Sequence, residues 1–427
     1  MNMTDRDPKT TEAGVSPSRF RWTVCALLFA ATSINYMDRQ GLAILAPTLQ
    51  AQIGWNEQEY GHIVTAFQAA YAIGVLGFGW LVDKYGTKLG YSVAVFIWSA
   101  AECGHALARS ALGFGLARFG LGFGEGGNFP AAIKAIAEWF PPEERALATG
   151  LFNSGCSFGT IFAAVVVPWT TEKYGWPASF MVLGLAGFVW MIGWTLFYRN
   201  HKPPGLPAAP DRIDTGSSLS WRKVLSTNQS WVYIVGNALT APIYWFYLYW
   251  TPKFLFQRFG VPLSGIGVPM LIIYLCATVG SIGGGWISSA LLRKGSSLNV
   301  ARKVGLGISG ACAIPVICVP GVESSQAAVW LIGLAAAGHL AWAANLFTIV
   351  SDLFPKTAVA SVVGIGLTIS ALTGMVFAEY AGFSLQSSHG SYVGLFRIAG
   401  STYVVAFAIM HALAPKYKPV EPGRLES

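Results

Sequence analysis

Long apolar stretches recur along the 427-residue chain, and that recurrence restricts what it can fold into. About twenty apolar residues suffice for a helix to cross a bilayer. Twelve such stretches fall at roughly 20–48, 61–82, 89–108, 111–140, 146–171, 177–198, 226–252, 265–292, 304–321, 326–351, 358–385 and 391–413. Charged residues make up only 11% of the chain, under half of the roughly 25% usual in soluble domains. The mean hydropathy of +0.50 agrees. Disordered chains are polar and highly charged, so disorder is excluded. The 49 Gly follow no triplet period, and six Cys are too sparse for a disulfide scaffold. A β-barrel would show alternating segments rather than long apolar runs. The expected class is an all-α membrane protein with twelve transmembrane helices in two six-helix halves.

The expected organisation is a tail at 1–19, a six-helix bundle at 20–198, a polar linker at 199–225, a second bundle at 226–413 and a tail at 414–427. The linker carries His201-Lys202-Pro203-Pro204 and a Ser/Gly stretch, which read as a break between bundles. Basic residues gather in cytoplasmic loops and set orientation. With the N-terminus inside, twenty of the 28 Lys and Arg fall on the cytoplasmic side. Four fall outside (Arg109, Lys173, Lys253, Arg258) and four within spans (Arg39, Arg118, Lys134, Arg397). Both termini are therefore expected in the cytoplasm. The net charge of +8 is explained by this asymmetry, not by nucleic-acid binding. The N-terminus shows no cleavable signal pattern. The six Cys lie in apolar segments without metal-ligand spacing and read as small buried hydrophobes.

The two halves resemble each other. Gly79-Trp80-Leu81-Val82-Asp83 matches Gly285-Trp286-Ile287-Ser288-Ser289, and Glu138-Trp139-Phe140-Pro141 matches Asp352-Leu353-Phe354-Pro355. Parallel repeats with a central site between them are a transporter architecture.

Gly79 through Asp83, with Lys84-Tyr85-Gly86-Thr87-Lys88, resembles the signature loop of the major facilitator superfamily. Gly86 permits a tight turn, and Asp83, Lys84 and Lys88 can bond helix ends and each other, as gating residues. Within that superfamily the chain resembles the anion:cation symporter family. The resemblance rests on Asn35-Tyr36-Met37-Asp38-Arg39 and on Ala117 through Pro130 with Glu138-Trp139-Phe140-Pro141. It is most similar to the hexuronate transporter branch, through Leu45-Ala46-Pro47-Thr48-Leu49, Trp245-Phe246-Tyr247 with Pro252-Lys253, and Asn345-Leu346-Phe347-Thr348. Cys156, Leu340, Ala341 and Ala343 depart from that branch's pattern, which bears on the sugar recognised.

A charge at the bilayer centre costs at least ~2.5–3.5 kcal/mol on insertion scales. Asp38, Arg39, Arg118 and Glu125 therefore need partners or a water-filled cavity. Asp38 lies ~24 Å along span one, and Arg118 and Glu125 lie ~10 and ~21 Å along span four. Arg118 and Glu125, seven apart, share a face. Asp38 and Arg39 diverge by about 100° and cannot both face one partner. These residues could simply be ion pairs that steady the bundle. The functional reading makes Asp38 and Glu125 proton carriers, because a carboxylate in low-dielectric surroundings favours its neutral form. Arg39 or Arg118 then grips the substrate anion. The resemblance implies acids for proton coupling, Arg118 for the substrate carboxylate and Asp38–Arg39 for gating or coupling.

Span four carries Gly120, Gly122, Gly124, Gly126 and Gly127, which read as close helix packing rather than a phosphate loop. No Walker sequence is present, so ATP-driven pumping is not expected. Tyr71, Tyr244, Trp245, Tyr247 and Trp342 are candidates for a sugar pocket, the first three foremost, against membrane-interface or packing roles. Asn345 is a candidate hydroxyl ligand or a helix–helix bond, and His339 is a weaker candidate. Glu102 and Glu379 read as interfacial acids near span ends.

The expected protein imports a sugar-acid anion, a hexuronate such as glucuronate or galacturonate, with protons, by alternating access. It is not an enzyme and is expected to be a monomer in a bacterial inner membrane, without metal or cofactor and with protons as the coupling ion. The rivals are another organic anion (galactonate, glucarate, tartrate), exchange without protons, and a membrane sensor that binds without transporting.

Overall fold

The structure is a computed structural model that describes residues 17–140, 142–198, 225–354 and 356–420. The linker at 199–224, the ends of both tails and the side chain of Asp83 lie outside the described residues.

The first half contains α1 (Pro17–Ile53), α2 (Glu57–Tyr85), α3 (Thr87–His105), α4 (Ala111–Glu125), α5 (Asn128–Trp139), α6 (Pro142–Tyr174) and α7 (Trp176–Phe197). The second contains α8 (Asn228–Phe259), α9 (Gly267–Arg293), α10 (Leu298–Ala313), α11 (Ser325–Leu353), α12 (Lys356–Ser387) and α13 (Val393–Leu413). Helices α4 and α5 together form the expected fourth span. It breaks at Gly126-Gly127, whose tight turn lets Gly126 lie against the backbone of Gly74 and Val75 on α2. A 3-10 stretch, Ile314–Gly321, completes the ninth span after α10.

Burial is inverted relative to a water-soluble protein. Outward faces carry Leu76, Val189 and Ile282, each more than 60% exposed, while Asp38, Arg39, Glu102, Arg118 and Glu125 are at most 1% exposed. Eight helical segments are long and apolar enough to cross a bilayer by length and mean hydropathy alone. The remaining spans are α1, α3, α4–α5 and α8. They carry Asp38, Arg39, Glu102, Arg118, Glu125 and Lys253, whose polarity lowers their hydropathy.

The sequence repeat is a structural repeat. Phe140 ends α5 at φ −111°, ψ 135°, and Phe354 ends α11 at φ −113°, ψ 145°. Each precedes a proline, which forces an extended backbone. The acid before each is tied to the start of a neighbouring helix. Glu138 accepts from Thr87 Oγ1 at 2.8 Å, and Asp352 pairs with Arg302 Nε at 2.8 Å.

One boundary differs in a way that matters. The seventh span continues through α8 to Phe259, so Lys253, expected in an outer loop, sits inside a helix with its side chain 0% exposed. Its ammonium is buried because Glu57 reaches it from the first half at 2.7 Å. The cysteines also differ from expectation. Only Cys25 is buried, and Cys318 faces out of the bundle. A thiol on an apolar span can face lipid as readily as core.

Candidate substrate and proton site

The buried charges of α1 and α4 fall into two groups, and the ring of Phe67 lies near both arginines, 5.3 Å from Arg39 and 5.9 Å from Arg118. The inner group centres on Arg39. Its Nε donates to Glu125 Oε2 at 2.6 Å, and both side chains are buried. The guanidinium also lies 4.8 Å from the ring centres of Tyr36 and Tyr71, 5.3 Å from Phe67 and 5.2 Å from Trp245. Trp245 comes from α8, so this aromatic cage joins the two halves. Burial strengthens cation–π attraction by removing competing water. Arg39 Nη2 and Glu125 Oε1 have no hydrogen-bond partner among the described residues.

The other group holds Asp38, Arg118 and Glu102. Arg118 Nη2 donates to the main-chain oxygen of Asp38 at 3.3 Å. Arg118 Nε and Nη1 and both carboxylate oxygens of Asp38 are buried without hydrogen-bond partners. The divergence of Asp38 and Arg39 expected from helix geometry is thus realised, with Arg39 turned to Glu125 and Asp38 to the Arg118 side.

Glu102 corrects an expectation. It lies one turn from the end of α3 and reads as interfacial, yet it is 0% exposed. Position along a helix does not reveal what packs beside it. The expectation for Glu379 is closer: its partly exposed carboxylate meets His62 of α2 at 2.7 Å.

The span-four glycines serve packing. A Cβ on Gly122 would lie 2.3 Å from the Phe67 carbonyl oxygen, and one on Gly124 would lie 2.6 Å from the Trp98 nitrogen. Without these glycines α4 could not approach α2 and α3 closely enough to present Arg118 and Glu125 inward.

The second half contributes aromatic rings. Tyr244 stacks on His339 with centroids 4.7 Å apart, and His339 Nδ1 meets Tyr403 OH at 2.8 Å. Trp342 packs edge-on to Tyr403. Tyr244 and Cys156 are within electrostatic reach of Arg39 and Tyr36, so they border the inner group. Asn345 is placed differently. Its amide donates to Gly284 O at 3.2 Å and Ala341 O at 2.9 Å, and its carbonyl accepts from Ser288. These bonds spend Asn345 on packing α9 against α11.

Gly86 takes φ +86°, as the tight α2–α3 turn requires. Lys84 lies over the rings of Trp80 and Tyr85. The helix-end bond expected of the loop's lysines is made by Lys134, whose Nζ donates to Val82 O at 2.8 Å. Lys88 contributes its carbonyl oxygen, which accepts from Ser92 and Trp194.

Contacts between the halves gather at the end where α1 passes into α2. Glu57 pairs with Lys253, accepts from Gln257 Nε2 at 3.2 Å, and donates from its main-chain N–H to Gln386 Oε1 at 3.2 Å. Tyr60 OH donates to Tyr249 O at 2.8 Å, and Gly61 packs against Gly382. Sequence reasoning missed Glu57, Tyr36, Phe67 and Lys134. Tyr36 stood within a quoted motif. Glu57 lies before the expected second span at 61–82, and its partner is 196 residues away.

Two pseudo-symmetric helical halves enclosing buried charges, within an apolar exterior, define a multi-pass membrane transporter rather than an enzyme. The family model of the Major Facilitator Superfamily matches residues 28–378, and the chain belongs to that superfamily. It is 30% identical to the hexuronate transporter of Escherichia coli (strain K12), over 85% of this chain and 89% of that protein. It is also 30% identical to a probable galactarate/D-glucarate transporter of Bacillus subtilis (strain 168), over 93% of this chain and 92% of that one. Its fold resembles a bacterial homologue of the human lysosomal transporter Spinster, captured inward-facing and occupied. The TM-score is 0.77 at 19% identity, covering 96% of this chain and 100% of that one.

Proposed function

We propose that this protein is a proton-coupled importer of a sugar-acid anion, a hexuronate such as glucuronate or galacturonate, working by alternating access in a bacterial inner membrane with both termini cytoplasmic. The observation that carries the reading is the buried Arg39–Glu125 pair inside an aromatic cage shared by both halves. A guanidinium grips a carboxylate bidentately, whereas Glu125 occupies Arg39 through Nε alone and Nη2 is unpartnered. An arriving substrate carboxylate competes with Glu125 for Arg39. Displacing Glu125 as an anion would leave an unpaired buried charge, which costs about 3–5 kcal/mol. Taking up a proton removes that charge. Anion entry and proton uptake are thereby linked, and Tyr71, Trp245 and Tyr244 supply ring faces and hydroxyls for the sugar. The chain's relatives named for hexuronate and galactarate/glucarate transport support a sugar-acid substrate.

A second reading is favoured by one observation. Arg118 retains two unpartnered N–H-bearing nitrogens, so an aldarate such as glucarate could present one carboxylate to each arginine. A thermal-shift panel of glucuronate, galacturonate, galactonate and glucarate separates the substrates, because a bound ligand raises stability by mass action. The coupling test is accumulation of the labelled hit in proteoliposomes under an imposed pH gradient. Glu125→Gln and Asp38→Asn are each expected to abolish accumulation. Normal pH-driven accumulation by both variants sinks the coupling mechanism. Binding without accumulation by the wild type points instead to a sensor.

A further inference from the structure

Among the described residues two ion pairs join the halves, Glu57–Lys253 and His62–Glu379. The second differs from the first in its exposure. His62 Nδ1 on α2 lies 2.7 Å from Glu379 Oε2 and 2.9 Å from Oε1 on α12. The two side chains are 54% and 38% exposed, whereas that of Lys253 is fully buried. The pair flanks a close backbone approach. A Cβ on Gly61, beside His62, would lie 3.0 Å from both the Ala378 carbonyl oxygen and the Gly382 Cα. Thr65 Oγ1 donates to Met375 O at 3.4 Å on the same seam. The α2–α12 seam cannot part here without separating His62 from Glu379.

The outward faces of the two helices change character at this pair. Towards the outer end they are polar, with Gln58 on α2 and Gln386 and Ser387 on α12 exposed. Towards the middle they are apolar, with Ile73 and Val376 exposed. Tyr380, next to Glu379, is exposed as well, as suits a ring at a membrane–water interface. Water at that end therefore reaches the pair, and that end is the outside in the orientation proposed above.

Histidine is the side chain whose charge ordinarily changes between about pH 5 and 8. A carboxylate accepts an N–H from either form of an imidazole, but the charged form adds ionic attraction and makes the stronger bond. Joining the pair favours the protonated imidazole, so by linkage protonation favours the joined arrangement. Closure at this end is helped by acid and loses that help as the external pH rises.

The other charged groups of the elements around the seam are engaged elsewhere, and Glu379 is the ion-pair partner of His62. On α2, Glu57 holds Lys253, and Glu59 accepts from the Asn56 main-chain N–H at 2.8 Å. Helix α12 carries no charged side chain besides Glu379 and Lys356 at its far end. Helices α3 and α4 bury Glu102, His105, Arg118 and Glu125 within the first half, and α5 ties Lys134 and Glu138 to the opposite end of α2 and α3. Arg109 donates to the Ala106 and Ala108 carbonyls, and Arg258 of α8 lies over Phe259. His389 stands in the turn beyond α12.

We propose that His62 and Glu379 form a latch through which external pH biases the direction the transporter faces, acid outside holding the outer end closed. This rests on the alternating-access reading above and adds a regulatory contact to it. The pair stays at the outer edge whether joined or parted, so a proton it takes up returns to the outside. The latch regulates the cycle without carrying a proton across.

The test is labelling of Ala378→Cys by a membrane-impermeant maleimide added outside, with the six native cysteines replaced by serine. Rates are compared at external pH 5.5 and 7.0. Both lie below the ordinary thiol range, so the thiolate fraction rises by the same factor in every variant and cancels between them. With His62 and Glu379 intact, the rate should rise about two- to fivefold more across this step than in the His62→Gln variant, the range expected of an exposed ion pair. Glu379→Gln should lose the same excess, and it carries the test alone if His62→Gln does not fold. An equal rise in all three chains overturns the latch. The limiting accumulation ratio of the panel's best sugar acid should be the same in His62→Gln as in the wild type, and a lower ratio overturns the claim that the proton returns outside. A thiol that stays unlabelled in every chain at both pH values removes opening at this end and the latch together, whereas labelling with equal pH responses removes only the latch.

Discussion

The Glu57–Lys253 bridge sets how firmly the two halves close at the α1–α2 end, and its removal has a calculable effect. Lys253 Nζ is fully buried, 2.7 Å from Glu57 Oε2 and 4.7 Å from the ring centre of Tyr60. Opening that end would expose both groups to water, so the pair stabilises chiefly the closed arrangement. Glu57→Gln removes the charge but keeps one acceptor. That single oxygen cannot serve Lys253 and also the amides of Gln50 and Gln257, which both donate to Glu57 Oε1. Losing a hydrogen bond to a charged group costs about 2 kcal/mol, which raises the ratio of open to closed forms about 30-fold. Glu57→Ala leaves the ammonium unpaired, which costs about 3–5 kcal/mol, or about 100-fold and more. The reporter is Ala378→Cys with the six native cysteines replaced by serine. Residue 378 is 2% exposed on α12, and its carbonyl faces Gly61 of α2 across the closed contact. Labelling by a membrane-impermeant maleimide added outside should accelerate in the order wild type, Glu57→Gln, Glu57→Ala, by these factors. Equal labelling rates in all three would refute the claim that this bridge holds the halves together.

Three further outcomes follow from the same geometry. Arg39→Lys keeps the charge but loses the planar fork and the ring contacts with Tyr36, Tyr71 and Trp245. Substrate affinity in the thermal-shift panel should fall at least about tenfold, with folding retained. Gly122→Leu drives a side chain into the Phe67 carbonyl at the α2–α4 contact. Overpacking of this kind costs about 1–3 kcal/mol, so the unfolding midpoint in detergent should drop, with Gly120→Ala, at a looser 3.1 Å contact with Ala101 Cβ, dropping less. Asp352→Asn weakens its bridge to the mostly buried Arg302 and should slow transport without changing the apparent affinity, as measured by initial uptake rates.

Several features were legible in sequence because they are one-dimensional. Hydropathy located the spans. The cost of charge in a membrane singled out Asp38, Arg39, Arg118 and Glu125, all of which are buried together. Helix geometry required Asp38 and Arg39 to diverge, and they do. Glycine spacing in span four announced close packing, and Gly122 and Gly124 supply it. The Glu138 and Asp352 motifs announced the repeat, which the matching backbone at Phe140 and Phe354 displays.

What depended on tertiary structure was sideways. A rise of about 1.5 Å per residue gives depth along a helix but not the neighbour across it. Glu102 looked interfacial by depth, and α1, α4 and α7 converge to bury it. Lys253 looked like a loop residue, and Glu57 from the other half makes its burial tolerable. Asn345 stood as a hydroxyl ligand or a helix–helix bond, and Ser288 and Gly284 claim it for packing. Which acid meets which arginine is decided by helices that are distant in sequence. The chain by itself determined a membrane bundle with charges too costly to be idle. Only packing decided that Arg39 holds Glu125 while Arg118 reaches the main chain of Asp38, because electrostatic energy depends on distances that no linear spacing records.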